Sequence, residues 1–152
     1  MSTGQDTRNP DEQTPLIVSP ENRSAKRFAM SGETFWKVGA IYGATAVALG
    51  AFGAHGLKKV IADPAKIGNW STAAQYQLIH SVALLIARDN TLAASFFTAG
   101  MTLFSGSIYA LTLDTARFRF LGPVTPLGGL FMIAGWTTLA FSKSGDAARW
   151  RF

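Results

Sequence analysis

The sequence contains no cysteine in 152 residues, which removes disulfides, thiolate nucleophiles and cysteine-based metal sites together. Histidine is nearly as scarce: there are two, and His55 has no neighbouring histidine or carboxylate at metal-ligand spacing. No nucleophile–base arrangement and no phosphate-binding loop occurs, so the sequence reads as a protein that is not an enzyme and needs no cofactor. The most telling shortage is of charge. Asp, Glu, Lys and Arg make up 15% of the chain and are missing altogether from residues 38–57, 92–113 and 121–142.

About twenty uncharged, mostly apolar residues suffice to cross the roughly 30 Å of bilayer hydrocarbon, so these three stretches read as membrane spans. A fourth, 70–87, is also free of full charges but carries Gln75, Gln77 and His80. It is read as a span too, because an even number of crossings keeps the loops short and Trp70 stands where an interfacial aromatic would. The composition, 48% hydrophobic with a mean hydropathy of +0.18, understates this pattern because the first thirty-odd residues are polar. The expected fold is therefore all-α: an integral membrane four-helix bundle, up-and-down, with spans at about 38–57, 70–87, 92–113 and 123–142. Residues 1–34 are expected to be a disordered cytosolic tail and 144–152 a short basic tail, leaving no room for a second soluble domain in the membrane unit at 35–143.

The net charge of +5 and pI near 9.9 do not point to nucleic acid, since the cations form no basic helix face and no aromatic platform lies among them. They flank the spans. Arg23, Lys26, Arg27, Lys37, Arg88, Lys143, Arg149 and Arg151 fall on one side, against Lys58, Lys59, Lys66, Arg117 and Arg119 on the other. The positive-inside rule then puts both termini in the cytosol.

The tail carries a second address. In Asp11-Glu12-Gln13-Thr14-Pro15-Leu16-Ile17 an acid precedes two aliphatics in a proline-extended segment, the pattern of acidic dileucine sorting signals. Glu12, Leu16 and Ile17 would engage a sorting adaptor, favouring an endosomal, vacuolar or plasma membrane. The mitochondrial inner membrane is the alternative, although Asp6, Asp11 and Glu12 interrupt what should be an acid-poor presequence. Initiation at Met30 would remove the segment.

Within the spans, small residues recur at helical spacing. Gly39 and Gly43 form a G-x-x-x-G pair continued by Ala46, Gly50 and Ala54, and Ala99, Thr102, Gly106 and Ala110 repeat the device in the third span. These faces predict close helix packing inside one bundle, or contact with a membrane-protein partner or a second copy. In the fourth span Thr125 is expected to cap a helix beginning at Pro126, after a Gly122-Pro123 turn.

Ionisable groups at membrane depth are the usual sign of function. His80 lies about 15 Å beyond Trp70 at 1.5 Å per residue, and Tyr76 and Gln77 share its face. Thr102 and Ser105 of the third span should reach a similar depth and serve as its hydrogen-bond partners. The five residues form a candidate polar membrane site, read either as a neutral histidine fixing register or as a proton-responsive or ligand site. His55, at the end of the first span, is read as a local cap.

The runs Gly50-Ala51-Phe52-Gly53-Ala54-His55-Gly56-Leu57, Trp70-Ser71-Thr72-Ala73 with Tyr76, Gln77 and His80, Phe104-Ser105-Gly106-Ser107 with Tyr109, and Leu121-Gly122-Pro123 with Thr125-Pro126-Leu127-Gly128-Gly129 and Gly135-Trp136 resemble the YgdD-type family of small membrane proteins. That family is also known as domain of unknown function 423 and as transmembrane protein 256-like. The resemblance covers about residues 35–141 and implies a four-helix membrane fold with no activity or catalytic residues to carry over. Two functions stay open. One is an accessory, assembly or scaffold subunit packing through its glycine faces. The other is a small oligomeric transporter or channel with a polar site around His80, which the absence of any Asp or Glu within the spans disfavours.

Overall fold

The computed structural model describes residues 31–142; the sorting-like segment, Met30 and the rest of residues 1–30 and 143–152 lie outside them, whereas residues 31–34, expected to belong to the disordered tail, form the cap and first turn of a helix because Ser31 supplies a side-chain cap there. Among the described residues there are no strands, and four long helices dominate: α1 Gly32–His55, α2 Pro64–Ala87, α3 Thr91–Leu113 and α4 Val124–Phe141. At 1.5 Å per residue they span about 36, 36, 35 and 27 Å. Three of them, α1, α3 and α4, are long and apolar enough to cross a membrane. The second, α2, has the length without the hydropathy, because both its faces carry polar residues.

Each start is set by a local signal. Ser31 accepts the amide N–H of Thr34 to cap α1, and Asn90 does the same for Ala93 in α3. α2 begins at Pro64, six residues before the expected 70, because Asp63 accepts from the Ala65 N–H at 2.9 Å and Pro64 takes the first helical position. The Asp-Pro pair was the signal for that start. α4 also departs from expectation: it begins at Val124 after Pro123, and Thr125 lies inside its first turn rather than capping it. Pro126 is tolerated there because the first-turn N–H groups have no intrahelical partner. Thr125 is spent across the bundle instead, its hydroxyl 2.6 Å from that of Ser107.

The helices pack in series, α1 on α2, α2 on α3 and α3 on α4, with α1 touching α3 lightly and no packed interface between α1 and α4. Phe35 from the start of α1, Leu84 and Ala87 from the end of α2, Ala93 and Phe97 from the start of α3 and Leu139 from the end of α4 share one core cluster. Successive helices are therefore antiparallel. At the opposite end Trp70 is buried between Phe52 and Tyr109, with ring centroids 5.6 and 4.6 Å away, and donates its indole N–H to the Leu49 carbonyl at 2.8 Å. It is a core residue, not the interfacial aromatic expected, because α2 extends almost two turns beyond it.

Within a bilayer, lipid tails are as apolar as side chains, so helix association rests on packing and hydrogen bonds. The glycines show where that packing is closest. A Cβ at Gly39 would stand 2.8 Å from Leu85, and one at Gly43 3.2 Å from the Ser81 hydroxyl, so the first glycine face is consumed by α2 of the same chain. Gly50 makes ordinary contact with Ala74, and the seam continues to Gly53, buried under Trp70, rather than to exposed Ala54. This follows the alternating three- and four-residue spacing of a left-handed helix pair. Gly106 does not pack: nothing lies within 4 Å of a Cβ placed there. The close approach of α3 and α4 falls instead on Gly100, Gly128 and Gly135, which meet Met132, the Phe104 backbone and the Phe97 ring respectively.

Candidate functional site

α2 places Gln77, His80 and Ser81 on its buried face. The Gln77 amide ties three helices together. Its Nε2 donates to the Tyr42 carbonyl at 2.9 Å and to the Thr45 hydroxyl at 2.8 Å, both on α1, and its Oε1 accepts from the Tyr109 hydroxyl of α3 at 3.1 Å. Thr102 donates to the Thr98 carbonyl of its own helix, so its oxygen is left to accept from the Tyr42 hydroxyl of α1. Ser105 donates to the Ala73 carbonyl of α2 at 2.9 Å. No buried side-chain nitrogen or oxygen among the described residues lacks a partner.

His80 stands apart from that network. Its Nδ1 is 2.7 Å from the Tyr76 carbonyl and its Nε2 is 3.2 Å from the indole nitrogen of Trp136. A carbonyl can only accept and an indole N–H can only donate. The partners therefore fix one neutral tautomer, with the proton on Nδ1 and the Nε2 lone pair held by Trp136. The expected partners, Thr102 and Ser105, do not reach the imidazole because their hydroxyls are committed to Tyr42 and to the Ala73 carbonyl. His80 is also displaced from the middle of its helix. It lies seven residues before the end of α2, about 10 Å along the axis, on the side of the 88–90 loop.

Around the imidazole, aromatic rings from three helices converge. Tyr76 stacks on it at 5.7 Å, Phe97 and Trp136 stand at 5.9 and 6.1 Å, and Phe104 packs on Tyr76 at 5.1 Å. Between α2 and α4, Tyr76, His80, Phe104 and Trp136 line a groove of about 580 Å³ with Met132 and Ile133. Such a surface can hold an apolar or aromatic body and offer few polar contacts to it. No group of three or more metal-binding side chains occurs among the described residues. His55 is exposed at the end of α1, and its side chain makes no hydrogen bond among them.

Two of the five proposed site residues, Tyr76 and His80, meet at the groove; Gln77, Thr102 and Ser105 belong to the α1–α3 network. Trp136, Tyr42, Thr45 and Tyr109 were not among the site residues. A signal for Tyr42 and Thr45 was present: they are spaced i, i+3 on the glycine face that must meet α2. Trp136 offered none, since a lone tryptophan in an apolar span has no directional mark.

The model of a family described as "Protein of unknown function (DUF423)" matches residues 49–129, which hold all of α2 and α3. The chain belongs to the DUF423 family. This DUF423 protein is 40% identical over 115 residues to the UPF0382 membrane protein C1782.12c of Schizosaccharomyces pombe, an alignment covering 70% of this chain and 98% of the relative. It is 39% identical over 113 residues to a UPF0382 membrane protein of Haemophilus influenzae (68% and 88% covered) and 38% identical over 114 residues to the UPF0382 membrane protein YwdK of Bacillus subtilis (68% and 90% covered). No solved structure matches it. With its apolar helices, these relatives make the DUF423 protein an integral membrane protein.

Proposed function

We propose that this protein is an accessory or scaffold-type subunit of a membrane assembly, neither an enzyme nor a transporter in its own right. One observation supports this above others: the buried polar groups of the spans are used up in bonds between or within helices. Gln77 joins α1, α2 and α3, and both nitrogens of His80 are committed. A permeation path needs polar groups that are free to exchange partners with a solute. Since Gly39 and Gly43 face α2 of the same chain, partner helices must bind elsewhere than that first glycine face.

Purification of a tagged full-length chain from native membranes in mild detergent tests this reading. A stoichiometric partner protein is the expected result. Solute flux by the purified protein alone in proteoliposomes, abolished by His80→Ala at unchanged protein level, would establish the second reading, a small oligomeric transporter or channel. The groove beside His80 is the observation in its favour.

The tail supports a proposal on location: a eukaryotic endosomal, vacuolar or plasma membrane reached through a sorting adaptor that reads Glu12, Leu16 and Ile17, with the mitochondrial inner membrane as the alternative. Replacing Leu16 and Ile17 by Ala should redirect the tagged protein. Unchanged localisation would sink the sorting idea.

A further inference from the structure

Gln75 sits at the middle of α2, two residues before Gln77, which places it about 160° round the helix from the polar network. It is exposed and, among the described residues, makes no hydrogen bond. In water that would be unremarked. In a bilayer the same exposure puts a primary amide against hydrocarbon at mid-depth, where neither solvent nor lipid headgroups can satisfy it.

The residues around it share the face. Gly68, Ser71, Gln75, Leu78 and Val82 are all exposed, and they recur at intervals of three, four, three and four. That is the seam of a left-handed helix pair, with the polar residue at its centre. A Cβ at Gly68 would meet nothing within 4 Å, so no part of the described chain covers the start of the seam. The outward Ser71, Thr72 and Gln75 also help explain why α2 alone among the long helices falls short of span hydropathy.

We propose that this face of α2 binds the same face of a second copy, forming a homodimer about a two-fold axis along the membrane normal. Such an axis brings like residues together at equal depth. A carboxamide is then its own complement, because each Nε2–H donates to the other copy's Oε1. The pairing satisfies both amides and fixes the register, as a single polar seam residue does in a coiled coil. It stands independently of the accessory reading, and would hold equally for a transporter.

Because the chain has no cysteine, each introduced thiol is the sole one. Ser71→Cys and Leu78→Cys in the full-length protein, mildly oxidised in native membranes, should give a disulfide-linked product at twice the 16.3 kDa chain mass. Val47→Cys and Ile133→Cys, exposed on α1 and α4, should give little of it. Adding Gln75→Leu should lower the α2 crosslink about tenfold, the effect of losing two interhelical hydrogen bonds, while two differently tagged copies cease to co-purify. The proposal is overturned if all four positions link equally, if none links, if Gln75→Leu changes nothing, or if the α2 thiols link to a chain of different mass. That last outcome would identify another protein on the face and leave the accessory reading standing.

Discussion

A single methyl group added at Gly128 should loosen the α3–α4 interface. The Cβ of Gly128→Ala would fall against the Phe104 backbone, with its Cα 2.8 Å away. A flexible side-chain tip can swing aside, but a helix backbone moves only if the whole helix moves. Overpacking of this kind costs roughly 1–3 kcal/mol, and the rigid obstacle puts the cost near the upper end. Replacing a mid-helix glycine by alanine returns about 1 kcal/mol of helix propensity. The net loss is about 2 kcal/mol, close to thirtyfold in the folding equilibrium. Gly106→Ala supplies the control, since nothing lies within 4 Å of its Cβ. It should be stabilising by about 0.5–1 kcal/mol through propensity alone. Reversible unfolding of the purified protein by SDS in mixed micelles, followed by circular dichroism, measures both. If the two variants shift the midpoint in the same direction and to the same extent, the assignment of the α3–α4 contact to Gly128 is wrong.

Four further substitutions separate the roles assigned above. Gln77→Leu removes hydrogen bonds to two neighbouring helices and leaves the Tyr109 hydroxyl without its acceptor; the same SDS titration should show a loss of about 2 kcal/mol, and a wild-type midpoint would mean the network contributes nothing. Trp70→Ala should cost about 3–5 kcal/mol, as expected for a buried tryptophan, whereas Trp36→Ala, at a position 44% exposed with Arg88 5.0 Å over the ring, should cost about 1 kcal/mol. Comparable losses would contradict the burial of Trp70. For His80, imidazole ¹⁵N spectra should show the proton on Nδ1, and Trp136→Phe should shift the Nε2 resonance; an Nε2-protonated ring would refute the Tyr76–His80–Trp136 arrangement.

The amount of the fold that is legible in the sequence differs from helix to helix. The spans of α1, α3 and α4 follow from uninterrupted uncharged runs, because the bilayer imposes both a length and a polarity limit that composition must obey. Their contacts are less legible. Gly106 and Gly43 look alike in sequence, yet one faces open space and the other packs against Ser81, since spacing defines a stripe but not which neighbour lies across from it. The start of α2 was readable from Asp63-Pro64 and was obscured by the charge of Lys66. The polar face of α2 was readable too, but its division was not. Nothing in the order Gln75-Tyr76-Gln77 says that the last is buried among three helices while the first points out.

By itself, then, the sequence determined the solvent this chain folds in, the number of long apolar helices it must satisfy and the family it belongs to. Those properties depend on composition and on local order along the chain. The tertiary structure alone decided which glycines carry the packing, that His80 is held by Trp136 rather than by Thr102 or Ser105, and that Gln75 is left without a partner among the described residues. Each of these is a relation between helices far apart in sequence, fixed by the rotation of one helix against another.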